Sequence, residues 1–121
     1  MLKINEKSSL ENNHEKTFLK AFSSKLTQKG FSLISEDKQN NLKYIHILGE
    51  IDTAYSGQYT SDMQVYRAKG VLRAVIWDGS QFKTISEFDT SSIKHIGSTP
   101  ELASKSALHH LAIKSAEFFS K

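Results

Sequence analysis

The chain has 121 residues, no cysteine and a formal net charge of +3. This length suits a single domain with one hydrophobic core. The lack of cysteine excludes disulfides, thiolate catalysis and cysteine-based zinc sites. The small positive charge favours a polyanionic partner only weakly, and no apolar run approaches the roughly 20 residues of a membrane-spanning helix.

The amino-terminal residues are mostly polar. After Met1, apolar side chains occur only at Leu2, Ile4 and Leu10 within residues 1–12. We therefore predict that residues 1–12 form a flexible lead-in. Residues 13–121 are predicted to form a single α+β domain.

A first helix is predicted directly after this lead-in. Asn12, followed three residues later by Glu15, resembles a helix cap with its reciprocal partner. Apolar side chains then recur every fourth residue, at Phe18, Phe22 and Leu26. Gly30 stands where a left-handed residue commonly ends a helix.

Four strands are predicted next, at 31–35, 42–53, 63–77 and 81–89. The second has apolar residues on both faces and should be central, and its Gly49 indicates a bulge or a close approach of another backbone. In the third, small or apolar residues alternate with cations and β-branched residues, so the apolar set should face the helices. That set is Tyr66, Ala68, Gly70, Leu72, Ala74 and Ile76.

Residues 91–97 are predicted to be a connection, and a second helix should begin at Ser98 or Thr99 as cap with Pro100 in its first turn. Its buried stripe is predicted at 3.6-residue spacing: Leu108, Leu111, Ala112, Ser115 and Phe119. The elements together predict an α+β fold of order α-β-β-β-β-α. Its antiparallel four-stranded meander would carry two helices packed on one face.

The sequence offers little support for catalysis. Glu50 and Asp52 would share one face of a strand and could divide acid and base roles, with His46 nearby. Polar residues at the end of a strand are the more ordinary explanation. The five histidines lack the HxxxH spacing of a metal site, and neither a GxSxG nor a GxxxxGK motif is present. We expect no enzyme activity, no catalytic residue, no metal and no cofactor.

The best candidate binding surface is formed by the odd-numbered residues of the third strand, which should point away from the helices. Arg67, Lys69 and Arg73 precede Trp77 on that parity, and arginine forks with an aromatic face could bind phosphates and stack bases. An ordinary solvated sheet face, with cations that discourage edge pairing, is the competing interpretation.

Two stretches carry a resemblance to a bacterial envelope group. They run from Phe22 through Gly30-Phe31-Ser32-Leu33-Ile34 and from Tyr44 to Ile51, and the alanines of the last helix fit the same pattern: Ala103, Ala107, Ala112 and Ala116. The pattern is similar to α/β domains of the curli-secretion lipoprotein, the lipoprotein activators of penicillin-binding proteins, the amino-terminal domain of the periplasmic Tol protein and a flagellar assembly protein. This resemblance implies a non-enzymatic assembly or scaffold domain and assigns no functional residue.

The resemblance implies protein partners in the cell envelope, or self-association, and a location in the periplasm or at the outer membrane. A second, weaker resemblance is to double-stranded-RNA-binding domains, carried by Ser104-Lys105-Ser106-Ala107-Leu108 near the start of the last helix. The alternative function is therefore nucleic-acid binding through Arg67, Lys69, Arg73 and Lys105.

Overall fold

The structure, a computed structural model, describes residues 2–8, 16–31, 45–90 and 92–120. Its elements in chain order are β1 (Leu2–Ser8), α1 (Thr17–Gln28), β2 (His46–Thr60), β3 (Met63–Trp77), β4 (Phe82–Asp89), β5 (Ile93–Gly97) and α2 (Pro100–Phe119). From α1 to α2 the order is helix, four strands, helix. Strands β2 to β5 pair antiparallel. The predicted α+β class and element order are confirmed.

Strand β3 is the centre of the sheet. One of its edges pairs with β2. The other edge pairs with β4 along residues 71–77 and with β5 along residues 64–68. Strands β4 and β5 therefore lie end to end along the same edge of β3, and residues 93–97 form a strand where the sequence predicts a connection.

The structure also differs from the predicted flexible lead-in over residues 2–8. Strand β1 pairs in parallel with β2, from Leu2 opposite Ile47 to Ser8 opposite Thr53. This pairing depends on backbone hydrogen bonds to a strand about 45 residues away, so the mostly polar composition of the segment does not reveal it. Strand β2 lies between β1 and β3, which confirms its predicted central position.

Two predictions fall largely outside the described residues. They are the strand at 31–35, of which only Phe31 is described, and the Asn12–Glu15 cap. At the start of α1, two backbone donors are satisfied from β1. The Glu6 carboxylate accepts hydrogen bonds from the backbone N–H of Phe18 at 2.9 Å and of Leu19 at 3.0 Å. A carboxylate also suits the positive end of the helix dipole.

The ends of the helices otherwise follow the sequence signals. Gly30, just beyond α1, has a φ of +97°, the left-handed conformation that was predicted. The Thr99 hydroxyl accepts a hydrogen bond from Leu102 N at 3.2 Å, and Pro100 opens α2. Thr99 is therefore the cap.

Both helices cover one face of the sheet, which we call the inner face. Its β3 side chains Tyr66, Ala68, Leu72 and Ala74 are buried and Ile76 is half-buried, as the alternation predicts. The predicted α2 stripe is buried apart from the half-buried Phe119. The core unites the helices and the inner face: Phe18, Phe22, Leu26, Ile51, Ala68, Leu72, Ala107, Leu108, Leu111, Ala112 and Ala116. Each large apolar side chain buried here contributes about 1.5–3 kcal/mol.

Two glycines allow close contacts, Gly97 between β5 and α2 and Gly49 between the neighbouring strands β2 and β3. A Cβ on Gly97 would lie 2.5 Å from the backbone nitrogen of Ala103, so α2 could not pack on β5 in this position. A Cβ on Gly49 would meet the Leu72 side chain and lie 2.9 Å from the carbonyl oxygen of Val71. The predicted close approach at Gly49 is confirmed.

Candidate functional site

The four predicted binding residues lie on one face of β3. Arg67, Lys69, Arg73 and Trp77 share a parity, and we call the face that they occupy, opposite the helices, the outer face. Lys69 and Arg73 are exposed, whereas Arg67 and Trp77 are half-buried. Ten residues of strand separate Arg67 from Trp77, about 33 Å at the usual rise, so the four residues form a line and not a compact site.

Carboxylates stand opposite these cations on the neighbouring strands. Lys69 pairs in register with Asp52 of β2, and Arg73 with Glu87 of β4. Cβ atoms in such cross-strand pairs lie about 4.5–5.5 Å apart. Neighbouring charges of opposite sign reduce the positive potential that the sequence alone indicated.

The register position between those two pairs carries acidic residues on both neighbouring strands. Val71 faces Glu50 on β2 and Asp89 on β4. With Lys94 of β5, which pairs with Arg67, four cations of the outer face are matched by four carboxylates among the side chains that the structure describes. Four minus four gives a charge of zero for these side chains of β2 to β5, and the register also places Lys3 and Lys7 of β1 beside Leu48 and Asp52.

A groove of about 910 Å³ is lined by central residues of this face together with Ile4 of β1, the N-cap residue Lys16 and Leu19 of α1. Its lining includes both signs of charge: Glu50, Asp52, Lys69, Arg73 and Asp89. Exposed Val71 also lines it. The groove can therefore pair with complementary charges around a small apolar centre.

One end of the outer face carries an aromatic cluster, formed by His46, Trp77 and Phe82. The Phe82 ring lies edge-on to the Trp77 ring, with centroids 5.2 Å apart, and to the His46 ring at 5.4 Å. Val75 on the same face is 3% exposed, whereas Phe82 is 48% exposed. The sequence identified Trp77 but missed its partners, because Phe82 is brought beside it only by the β3–β4 hairpin.

The possible acid–base residues do not form one site. Glu50 and Asp52 are exposed and line the groove. His46 is buried on the same strand, about 13 Å of strand length from Glu50. Among the described residues, no group of three or more histidine, aspartate or glutamate side chains is placed to hold a metal ion.

The structure separates Lys105 from the three cations of β3. Lys105 lies on α2 and lines a groove with Lys20 of α1, on the helical side of the molecule. Arg67, Lys69 and Arg73 lie on the opposite side of the sheet. One nucleic-acid surface cannot use all four residues at once.

A histidine pair that the sequence did not predict joins β5 to α2. The rings of His95 and His110 have centroids 4.0 Å apart and are tilted by 34°. Burial, followed by the nearby charge of His110, lowers the pKa of His95. No local motif could have indicated the pair, since 15 residues separate its members.

Comparison with known proteins shows the fold. No family model and no curated protein sequence matches the chain. A minor lipoprotein from Acinetobacter baumannii is similar in structure, with a TM-score of 0.62 and 10% identity over 98% of this chain and 91% of that one. A neuraminyllactose-binding hemagglutinin homolog from Helicobacter pylori has a TM-score of 0.54 and 16% identity, covering 98% and 82% of the two chains. Within the described residues, no helix has the length and apolar character needed to cross a membrane.

Proposed function

We propose that this protein is a non-enzymatic domain of a bacterial cell-envelope assembly protein that binds a protein partner through the outer face of its sheet. The observation that carries the proposal is the difference between the two faces. The helices cover the inner face, while the outer face presents the exposed Phe82 ring of the aromatic cluster and charges of both signs to solvent.

The composition of the outer face suits protein recognition. Tryptophan, phenylalanine and arginine are enriched at the centres of protein interfaces, with polar residues around them. Trp77, Phe82 and Arg73 supply these residue types, and Val71 adds an exposed apolar side chain. Paired charges of opposite sign would orient the partner.

The fold supports a location in the envelope, in the periplasm or at the outer membrane. One similar structure is a bacterial lipoprotein, in keeping with the resemblance to envelope α/β domains. We also propose that the domain is related to one of three groups: the curli-secretion, penicillin-binding-protein activator or Tol domains.

Site-specific photo-crosslinking in living bacteria tests the partner surface. A photoreactive phenylalanine analogue is placed at Val71 or at Phe82, and at Glu117, an exposed residue of α2, as a control. We expect one discrete adduct from both outer-face positions and none from position 117. An adduct of twice the 13.6 kDa chain mass would identify a second copy as the partner.

Substitution of a neighbouring charge makes the test sharper. Arg73→Glu should reduce the adduct formed at position 82, because a fifth carboxylate would disturb the charge pairing of the face. Adducts of equal yield at all three positions, or none at 71 and 82, would contradict the proposal.

A further inference from the structure

A second groove lies between the two helices, on the opposite side of the molecule from the outer face. Its volume is about 380 Å³. Helix α1 contributes residues 17, 20, 21 and 24, and α2 contributes residues 105 and 109. These spacings of three, four and seven residues place each set on one face of its helix. The two helix faces form the walls of one groove.

The groove is rich in hydrogen-bond donors. Lys20 and Lys105 provide ammonium groups, Thr17 and Ser24 provide hydroxyls, and His109 adds a ring nitrogen. This donor set is suited to a phosphate group, which accepts several charge-assisted hydrogen bonds.

The amino terminus of α1 does not supply this site. Its Phe18 and Leu19 amides already donate to Glu6. Binding of an anion would therefore depend on the side chains of the groove, and it should be sensitive to their substitution.

An exposed leucine stands beside these cations. Leu102 is 53% exposed and precedes Lys105 by three residues and His109 by seven, so it lies on the same side of α2. Helices that lie on anionic membranes combine lysines with exposed apolar side chains that enter the headgroup region. We propose that the groove between α1 and α2 binds the phosphate of an anionic phospholipid headgroup, with Leu102 inserted beside it. This inference does not depend on the outer face or on its partner.

Vesicle co-sedimentation tests the proposal. The probes are vesicles of equal parts phosphatidylglycerol and phosphatidylcholine, and vesicles of phosphatidylcholine alone. A basic residue at an anionic surface strengthens binding roughly fivefold, so Lys20→Gln with Lys105→Gln should weaken binding to the anionic vesicles by about 25-fold. Leu102→Ser should weaken it as well, and the neutral vesicles should bind weakly throughout.

The matched control removes two positive charges from the outer face. The double variant Lys69→Gln with Arg73→Gln has the same net charge as the groove double variant, and it should weaken vesicle binding by less than about threefold. Equal weakening by both double variants would show attraction by overall charge alone and would overturn the inference. So would a failure of the unaltered chain to bind anionic vesicles.

Two soluble ligands distinguish other sources of phosphate. Glycerol phosphate and a single-stranded oligonucleotide are titrated into the unaltered chain and the groove double variant, and circular dichroism verifies that each variant is folded. We expect neither ligand to bind as strongly as the anionic vesicles. Groove-dependent binding of either ligand without vesicle binding would assign the site to a soluble phosphate or a nucleic acid and overturn the lipid assignment.

Discussion

His95 and His110 place two imidazole rings 4.0 Å apart where α2 packs on β5. His95 is half-buried on the inner face beside Tyr66, its register partner on β3. Burial disfavours the charged form of His95, and a charge on His110 adds repulsion. Both effects lower the pKa of His95 from its usual value of 6.5. A local packing contact is thereby coupled to proton binding.

The lowered pKa gives stability a pH dependence with a definite sign. The unfolded state binds the His95 proton first, so the contribution of this residue is complete above pH 6.5 and is lost as the pH falls through the lower, folded-state pKa. We expect the urea midpoint of the unaltered chain to decrease between pH 7.5 and pH 5. His110→Gln should reduce that decrease, because it removes the repulsion. His109→Gln is the control, and if both variants behave alike, the ring contact does not contribute.

Residues that act locally were easier to predict than residues that act across the fold. The Thr99 cap and the left-handed Gly30 depend on their immediate neighbours. The steric need for Gly97 arises from a helix that packs on it, and the His95–His110 contact joins two elements. Neither leaves a pattern within a short window of sequence.

The alternation of apolar and polar residues along the sequence does not reveal the junction between β4 and β5. Thr90 sits between the two strands and pairs with Gly70 of β3. Its hydroxyl accepts a hydrogen bond from Gly70 N at 2.8 Å and donates one to Gly70 O at 3.1 Å. Thr90 N donates to the same carbonyl at 2.9 Å. One side chain thus bridges the gap in the ladder where β3 changes partners.

Removing that hydroxyl should cost stability with little change in shape. Thr90→Val leaves Gly70 N, which is partly shielded from solvent, without its acceptor, and we expect a loss of about 1–3 kcal/mol in the free energy of unfolding. Thr90→Ser keeps the hydroxyl and should cost less than about 1 kcal/mol. Urea unfolding measures both values. A larger loss for Thr90→Ser than for Thr90→Val would mean that the methyl group, and not the hydrogen bonds, holds the junction.

Strand β4 lies at an edge of the described sheet, and two of its features oppose pairing with a strand of another molecule. The register between β3 and β4 shifts at Ala74/Val75, with Ile85 as the extra residue of β4. A bulge bends an edge strand away from flat pairing, and the exposed charge of Lys83 on this strand opposes stacking with another edge. These features favour the outer face over the β4 edge as the surface that meets a partner.

At the scale of the whole molecule, the order of elements was predictable and the extent of the sheet was not. The alternation along β3 distinguishes the inner from the outer face, because successive side chains of a strand point to opposite faces of the sheet. Strand β1 has only Leu2 and Ile4 at alternate positions and owes its place to pairing with β2. For the same reason, the pairing of the β3 cations with Asp52 and Glu87 became apparent only from the strand register.

The complete pairing of β3 predicts where the molecule is most stable. Strand β2 pairs with one edge of β3, and β4, Thr90 and β5 continue along the other, whereas β4 has β3 as its only partner among the described strands. Exposing the amides of β3 requires the sheet to open on both sides, close to global unfolding, whereas β4 can separate from one edge. Native-state hydrogen exchange should therefore be slower in β3 than in β4, by about tenfold or more for amides compared at equal intrinsic rates. Equal protection of the two strands would show that the sheet opens only as a unit, and would remove this distinction between its centre and its edge.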